Sequence, residues 1–189
     1  MRKWAAALGL WLAATAAGAI ELNSVQVPDT VKLGTADLVL NGAGLRTRAI
    51  FKVYVGALYL PEKKTSAADV LTLKGAKRVA MHLLRDLTAE QVAGALDNMG
   101  DNLSGAELEK LKPQIDELKA TMEAVGEAKE KSIITIDFVP GSGTRVALNG
   151  AQKGKIIAGE ELYSALLRIW IGDKPVDRVL KNGMLGLPQ

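Results

Sequence analysis

Between Arg46 and Leu60 the chain reads RTRAIFKVYVGALYL, and no other stretch constrains the fold as strongly. Its Val, Tyr, Phe and Leu residues fall at both parities, with Lys52 as the exception. Because successive side chains of a strand point to opposite faces, such a run describes a long strand covered on both sides. Ahead of it, from Ile20 to about Gly44, short apolar runs are broken by Pro28-Asp29, Gly34 and Asn41-Gly42, the pattern of small strands joined by turns.

The rest of the chain alternates in blocks. Lys77 to Leu84 (KRVAMHLL) predicts a strand, and Thr88 to Met99 predicts a helix with a Thr cap and Val92, Leu96 and Met99 on one stripe. Ser104 and Glu107 form a capping-box pattern. Leu108, Leu111, Ile115, Leu118, Met122 and Val125 then recur at helical spacing, with Pro113 expected to kink or restart the helix. The run is shorter than the three or four heptads of a coiled coil, so it reads as a helix laid on a sheet.

Lys131 to Val139 alternates and is β-branched, and Pro140-Gly141-Ser142-Gly143 turns it into Thr144 to Leu148. Asn149-Gly150 leads to a further strand, Lys153 to Ile157, followed by helices Glu160 to Ile171 and Pro175 to about Leu185, the second with Pro in its first turn. Strands, helices, strands, helices without strict alternation predict an α+β fold with a largely antiparallel sheet.

The first residues, MRKWAAALGLWLAATAAGAI, carry two positive charges, an uncharged run and Ala17-Gly18-Ala19 in the small-x-small pattern of a signal-peptidase site. This predicts a secretory signal peptide over residues 1–19 and one domain over residues 20–189, periplasmic or secreted. Trp4 to Ile20 is short for a bilayer span of ~20 residues and rich in Ala, so no stable membrane insertion is expected after cleavage. Trp4 and Trp11 leave with the signal, and Trp170 remains as the single tryptophan of the mature chain.

With no cysteine, disulfide scaffolds, thiolate metal sites and cysteine nucleophiles are excluded, and a hydrophobic content of 48% argues against disorder. Lys and Arg total 24 against 21 Asp and Glu, and without Arg2 and Lys3 the net charge is about +1, which gives no basic face for nucleic acid. His82 is the only histidine and sits among Met81, Leu83 and Leu84, so it reads as a strand residue rather than a catalytic one. No metal site and no cofactor are expected. Gly141-Ser142-Gly143-Thr144 lacks the helix a phosphate loop needs and reads as a hairpin turn, and Glu160-Glu161 reads as acids complementing a helix start.

The charge that demands an explanation is Arg46, which enters the most apolar strand behind Asn41-Gly42-Ala43-Gly44-Leu45. A guanidinium among Val, Phe and Tyr needs a counter-charge, or else projects past the sheet edge into water; Arg48, two residues on, shares its face.

Gly42-Ala43-Gly44-Leu45-Arg46, then Phe51 to Leu60 ending in Leu58-Tyr59-Leu60, Leu84-Arg85-Asp86, Gly141-Ser142-Gly143-Thr144 and Ile169-Trp170-Ile171-Gly172 with Pro175 together resemble the chalcone isomerase-like family, and its exported bacterial branch most of all. The resemblance covers about Leu40 to Gly186. It implies an open-faced β-sandwich with a large antiparallel sheet and helices packed on one face. In the family's isomerases an arginine of the GxGxR block stabilises the phenolate nucleophile and the developing enolate, and Arg46 matches it. The family's next-strand threonine falls on Tyr54, its helical tyrosine and asparagine near Thr88 and Ala95, and its late threonine on Ile169, beside Trp170. With four of five polar positions altered, the donors an electrostatic site needs are missing, which weighs against catalysis; Tyr54 or Thr88 would have to substitute. Non-catalytic relatives resemble fatty-acid-binding proteins in which the guanidinium takes the carboxylate. The leading expectation is therefore a periplasmic, non-catalytic binding protein for a fatty acid or similar apolar carboxylate. One alternative is an isomerase of chalcone-like aromatic enones, and another is an interaction or assembly protein with a vestigial cleft and an unspecified protein partner.

Overall fold

A computed structural model describes residues 18–188. Within them β1 (Ala19–Leu22) and β2 (Val25–Pro28) form a short hairpin. A second sheet contains β3 (Thr30–Leu33), β4 (Ala36–Arg48), β5 (Phe51–Leu60), β6 (Lys77–Leu83), β7 (Ile133–Val139), β8 (Gly143–Leu148) and β9 (Ala151–Ile157), in chain order and antiparallel throughout. Helices α1 (Ala67–Thr72), α2 (Ala89–Ala93) and α3 (Gly105–Glu123) interrupt this meander, with a 3-10 stretch Gly94–Asn102 between the last two, and α4 (Glu160–Ile171) and α5 (Arg178–Met184) follow it. No helix among the described residues is long and apolar enough to cross a membrane.

The expected α+β architecture with an antiparallel sheet is what forms. Leu58, Leu60, Val79, Met81, Ile134 and Ile136 turn one face of the sheet toward Leu118 and Met122 of α3 and Leu166 and Trp170 of α4. Val55, Ala57, Tyr59 and Ala80 point the other way, into a second cluster with Val27, Leu33 and Leu38 of the N-terminal strands. β5 is thus buried on both faces, as its two-parity apolar pattern requires. Each such Leu or Val taken out of water contributes ~1.5–3 kcal/mol.

Several boundaries differ from the sequence reading. Arg46 to Leu60 is not one strand: β4 ends at Arg48, Ala49 and Ile50 make a two-residue turn, and β5 starts at Phe51, directly opposite Arg48. Ala49 adopts φ 53°, a conformation for which Asn or Gly is the usual signal, so nothing in the composition marked the turn. Conversely, Asn41-Gly42 is no turn. It is an irregularity inside β4, where the register slips between Leu40 and Gly42. The buried Asn41 amide donates to the Met184 carbonyl at 2.8 Å and accepts from the Lys64 N–H at 2.6 Å, partners far away in sequence.

The Thr88–Met99 helix divides into α2 and the 3-10 stretch, although Thr88 caps it as expected, with Gln91 completing a capping box. Ser104 and Glu107 form theirs, and α3 runs unbroken through Pro113. Pro175 precedes α5 rather than opening it, because Asp177 is the N-cap. Helix α1, capped by Ser66, is a single short element that lacked a periodic signal. Of the segment read as a signal peptide, residues 1–17 lie outside the described residues, while Ala19 belongs to β1 and pairs with Pro28.

Candidate ligand site around Arg46

The glycines of the GxGxR block have a packing role. A Cβ at Gly42 would come within 2.1 Å of the Gly183 carbonyl oxygen, and one at Gly44 within 2.8 Å of the Leu180 Cα. Helix α5 therefore rests on the bare backbone of β4, and on β5 the Gly56 position leaves room for Leu180 Cδ1 at 3.0 Å. Leu180 and Met184, both fully buried, are the apolar teeth of this contact.

Arg46 lies at the N-terminal end of that helix. Its side chain is 21% exposed, its Nη1 donates to the Thr47 carbonyl, and the same nitrogen is 3.5 Å from Asp177 Oδ2. Asp177 Oδ2 also accepts the Thr47 N–H at 3.1 Å, while Oδ1 accepts from Val179 N at 2.8 Å and Leu180 N at 3.1 Å. The counter-charge that Arg46 requires is thus supplied from inside the chain, and it doubles as the cap of α5. Sequence reasoning missed Asp177, although an Asp just ahead of Val179, Leu180 and Met184 is a helix-start signal. Arg48 is exposed at the hairpin end.

Tyr54 is the cross-strand neighbour of Arg46. Its hydroxyl accepts the Trp170 Nε1–H at 2.9 Å, which ties α4 to the same spot. Burial pushes the Tyr54 phenol up to about 12, against the opposing pull of the Trp170 hydrogen bond and the Arg46 charge. The fold therefore brings Arg46, Tyr54 and Trp170 together and adds Asp177. Ile169 is buried in the helix-side core. Thr88 is exposed, with its Oγ1 accepting from Gln91 N at 3.2 Å as a cap. Ala95 is half-buried in the 3-10 stretch and offers no polar group.

The remaining sequence candidates are accounted for by local structure. His82 stands between Val55 and Ile133 in the sheet, and burial lowers its pKa, so its ring is neutral. Gly141 and Ser142 make the β7–β8 hairpin turn, and Glu160 lines an open depression of about 300 Å³ beside them, an unfavourable neighbour for a phosphate. Glu160 and Glu161 pair with Lys74 and Lys110. No cluster of three or more metal-binding side chains occurs among the described residues. A second open depression, about 380 Å³, is bounded by Asp173, Pro175, Arg178, Lys181 and Asn182 at the start of α5.

Chemically, the Arg46 site offers a cation at the mouth of an apolar helix–sheet seam, a phenol that keeps its proton through neutral pH, and an indole behind it. No curated protein matches the sequence. Among solved structures, a fatty-acid-binding protein of Arabidopsis thaliana superposes with a TM-score of 0.70 over 89% of this chain and 96% of its own, at 16% identity. The chalcone isomerase-like family model matches residues 19–186, nearly all of the sheet and helices described above, and the chain belongs to that family.

Proposed function

We propose that the protein binds a fatty acid or a similar apolar carboxylate without transforming it, with Arg46 as the carboxylate clamp. The carrying observation is the state of that guanidinium. It is held in an apolar seam by a carboxylate at 3.5 Å, and only its Nη1 makes a hydrogen bond among the described residues. An arginine has five donors in a planar fork, so a ligand carboxylate can pair with it bidentately by taking over from Asp177. The tail then enters where Leu180 and Met184 now cover Gly44 and Gly56, and α5 moves aside as a unit of seven residues. The fatty-acid-binding protein of the same fold supports this reading.

Catalysis is disfavoured by the chemistry at the matched positions. Tyr54 holds its proton to about pH 12, Thr88 is engaged as a helix cap, and Ala95 and Ile169 have no polar side-chain atom. An enolate formed here would meet Arg46 with few other donors. We place the protein in an exported bacterial branch of the family, with residues 1–19 as the signal peptide and the mature domain in the periplasm. Intact mass of the exported protein is expected to start at Ile20, and a mass retaining Met1 would refute export by cleavage.

The decisive experiment is organic extraction of the purified protein with mass spectrometry, followed by fatty-acid titration of the wild type and of Arg46→Ala, Arg46→Lys and Arg48→Ala. Losing one partner of a buried charge pair costs ~2–5 kcal/mol of affinity, which is the expected effect of Arg46→Ala. Arg46→Lys recovers part of it, since an ammonium lacks the two-donor fork. Arg48→Ala leaves affinity unchanged. Unchanged affinity in Arg46→Ala overturns the clamp, and decay of chalcone absorbance that disappears in Arg46→Ala establishes the isomerase instead.

A further inference from the structure

The turn between β4 and β5 has the wrong composition for a solvent-facing hairpin. Arg48 and Phe51 form the last pair, Ala49 is left-handed at φ 53°, and Ile50 is 87% exposed with Phe51 at 55%. Among the described residues these are the only two adjacent members of the exposed large hydrophobic set. The other two-residue hairpin turns use Asn23-Ser24, Gly34-Thr35 and Asn149-Gly150, the polar residues and glycine that such turns favour.

Three cations surround the tip. Arg48 and Lys52 flank it in sequence and are exposed, and the Arg85 guanidinium lies 4.9 Å over the Phe51 ring. None of the three is in an ion pair among the described residues. The Lys52 ammonium donates to the neutral Asn23 amide at 2.7 Å, and Asp86, next to Arg85, pairs with Lys129 instead. The tip is therefore a small apolar wedge inside a ring of uncompensated positive charge.

We infer that the β4–β5 tip docks the protein on an anionic lipid bilayer, with Ile50 and Phe51 entering the headgroup–acyl boundary and Arg48, Lys52 and Arg85 engaging lipid phosphates. Apolar insertion and attraction to anionic headgroups reinforce each other at such an interface. A protein partner fits the geometry less well, because two protruding residues cannot supply the ~1,200 Å² of a standard protein interface, whereas a bilayer needs only insertion depth. Arg46 stands two residues inward of Arg48, ~7 Å along the strand, so docking brings the clamp beside the surface where an apolar carboxylate resides. Docking itself needs no bound fatty acid: a protein that docks but takes up no fatty acid refutes only the ligand reading, and the reverse refutes only docking.

The chain has no cysteine, which allows a single label to be placed at will. Ile50→Cys carrying an environment-sensitive fluorophore is mixed with vesicles of phosphatidylglycerol and phosphatidylcholine, or of phosphatidylcholine alone. Ser142→Cys, in the β7–β8 turn at the opposite end of the sheet, is the control. The label at position 50 is expected to blue-shift with anionic vesicles at low salt and to revert in high salt, while the label at 142 stays unchanged. In flotation assays that compare chains with the same N-terminus, so that residues 1–19 contribute equally, Ile50→Ser with Phe51→Ser is expected to weaken binding at least about tenfold. Arg48→Gln, Lys52→Gln and Arg85→Gln each weaken it about fivefold. No shift at position 50 with anionic vesicles, an equal shift at both positions, or a concentration-dependent shift without vesicles that reports a second copy seated on the tip would each overturn the inference.

Discussion

The Asp177 carboxylate holds Arg46 with one oxygen and the N-terminus of α5 with the other. Oδ2 lies 3.5 Å from the guanidinium and Oδ1 accepts the N–H groups of Val179 and Leu180. The pairing of Arg46 and the seating of the helix that covers the site are therefore held by one side chain. A ligand carboxylate that displaces Oδ2 from Arg46 also loosens the geometry that caps α5.

Two substitutions separate the halves of this coupling. Asp177→Asn keeps a good cap but removes the competing charge, so the ligand-free protein is expected to lose in urea the ~1 kcal/mol of a partly exposed ion pair while fatty-acid affinity rises by its equivalent, roughly fivefold. Asp177→Ala also loses the cap and is expected to lower stability by a further ~1–2 kcal/mol. Affinity that falls in Asp177→Asn would show that Asp177 assists the ligand rather than competing with it, and the exchange would be wrong.

The seat of α5 gives a second test. Gly44→Ala puts a Cβ 2.8 Å from the Leu180 backbone, which cannot swing away as a side-chain end would. Overpacking of this kind costs ~1–3 kcal/mol. The variant is expected to melt earlier and to be cut by protease first in the C-terminal residues, with α5 lifted from β4. Gly100→Ala, where nothing lies within 4 Å, is the matched control and should stay within ~0.5 kcal/mol of wild type. Equal melting of Gly44→Ala and wild type would mean that α5 does not rest on the glycine backbone.

What the sequence disclosed follows the range of the interactions involved. The two-parity apolar run of β5, the Thr88 cap, the Ser104 capping box and the Asn149-Gly150 turn are encoded by residues within a few positions of one another, and each formed where its signal stood. Asn41 and Ala49 went the other way because distant partners override local preference. Asn41 spends its turn-forming amide on Met184 and Lys64, and Ala49 is held left-handed between two long paired strands. Asp137 is a further case: the strand Ile133–Val139 was plain, yet nothing in it announced that this buried carboxylate takes Arg78 bidentately at 2.6 and 2.8 Å and Arg145 at 2.8 Å. At the candidate site, Arg46 was legible because an unpaired charge in an apolar run is costly. Asp177 was not, because its pairing is fixed only when the C-terminal helix closes on β4.

Tyrosine ionisation supplies the last test. All three tyrosines are perturbed in one direction: burial raises Tyr54 and Tyr59 to about 12 and Tyr163 well above its ordinary value of 10.0. Raised phenol pKa values mean that the unfolded chain gives up these protons first. The stability they contribute is complete below pH ~10 and is lost as pH rises toward the folded values, near 12 for Tyr54. Absorbance at 295 nm is expected to show no phenolate in the native protein near pH 10, while in concentrated guanidinium all three titrate there. Tyr54→Phe is expected to cost ~1–3 kcal/mol at pH 7, because the buried Trp170 N–H loses its acceptor. Between pH 10 and 12 the same variant should lose stability less steeply than wild type, by ~1.4 kcal/mol per pH unit, since one shifted group has been removed. Trp170→Phe is expected to cost less in the Tyr54→Phe background than in the wild type, as removing the second partner leaves no orphaned donor. If native absorbance rises near pH 10, or if the two variants destabilise additively, the Tyr54–Trp170 hydrogen bond is not the buried contact that ties α4 to the Arg46 site.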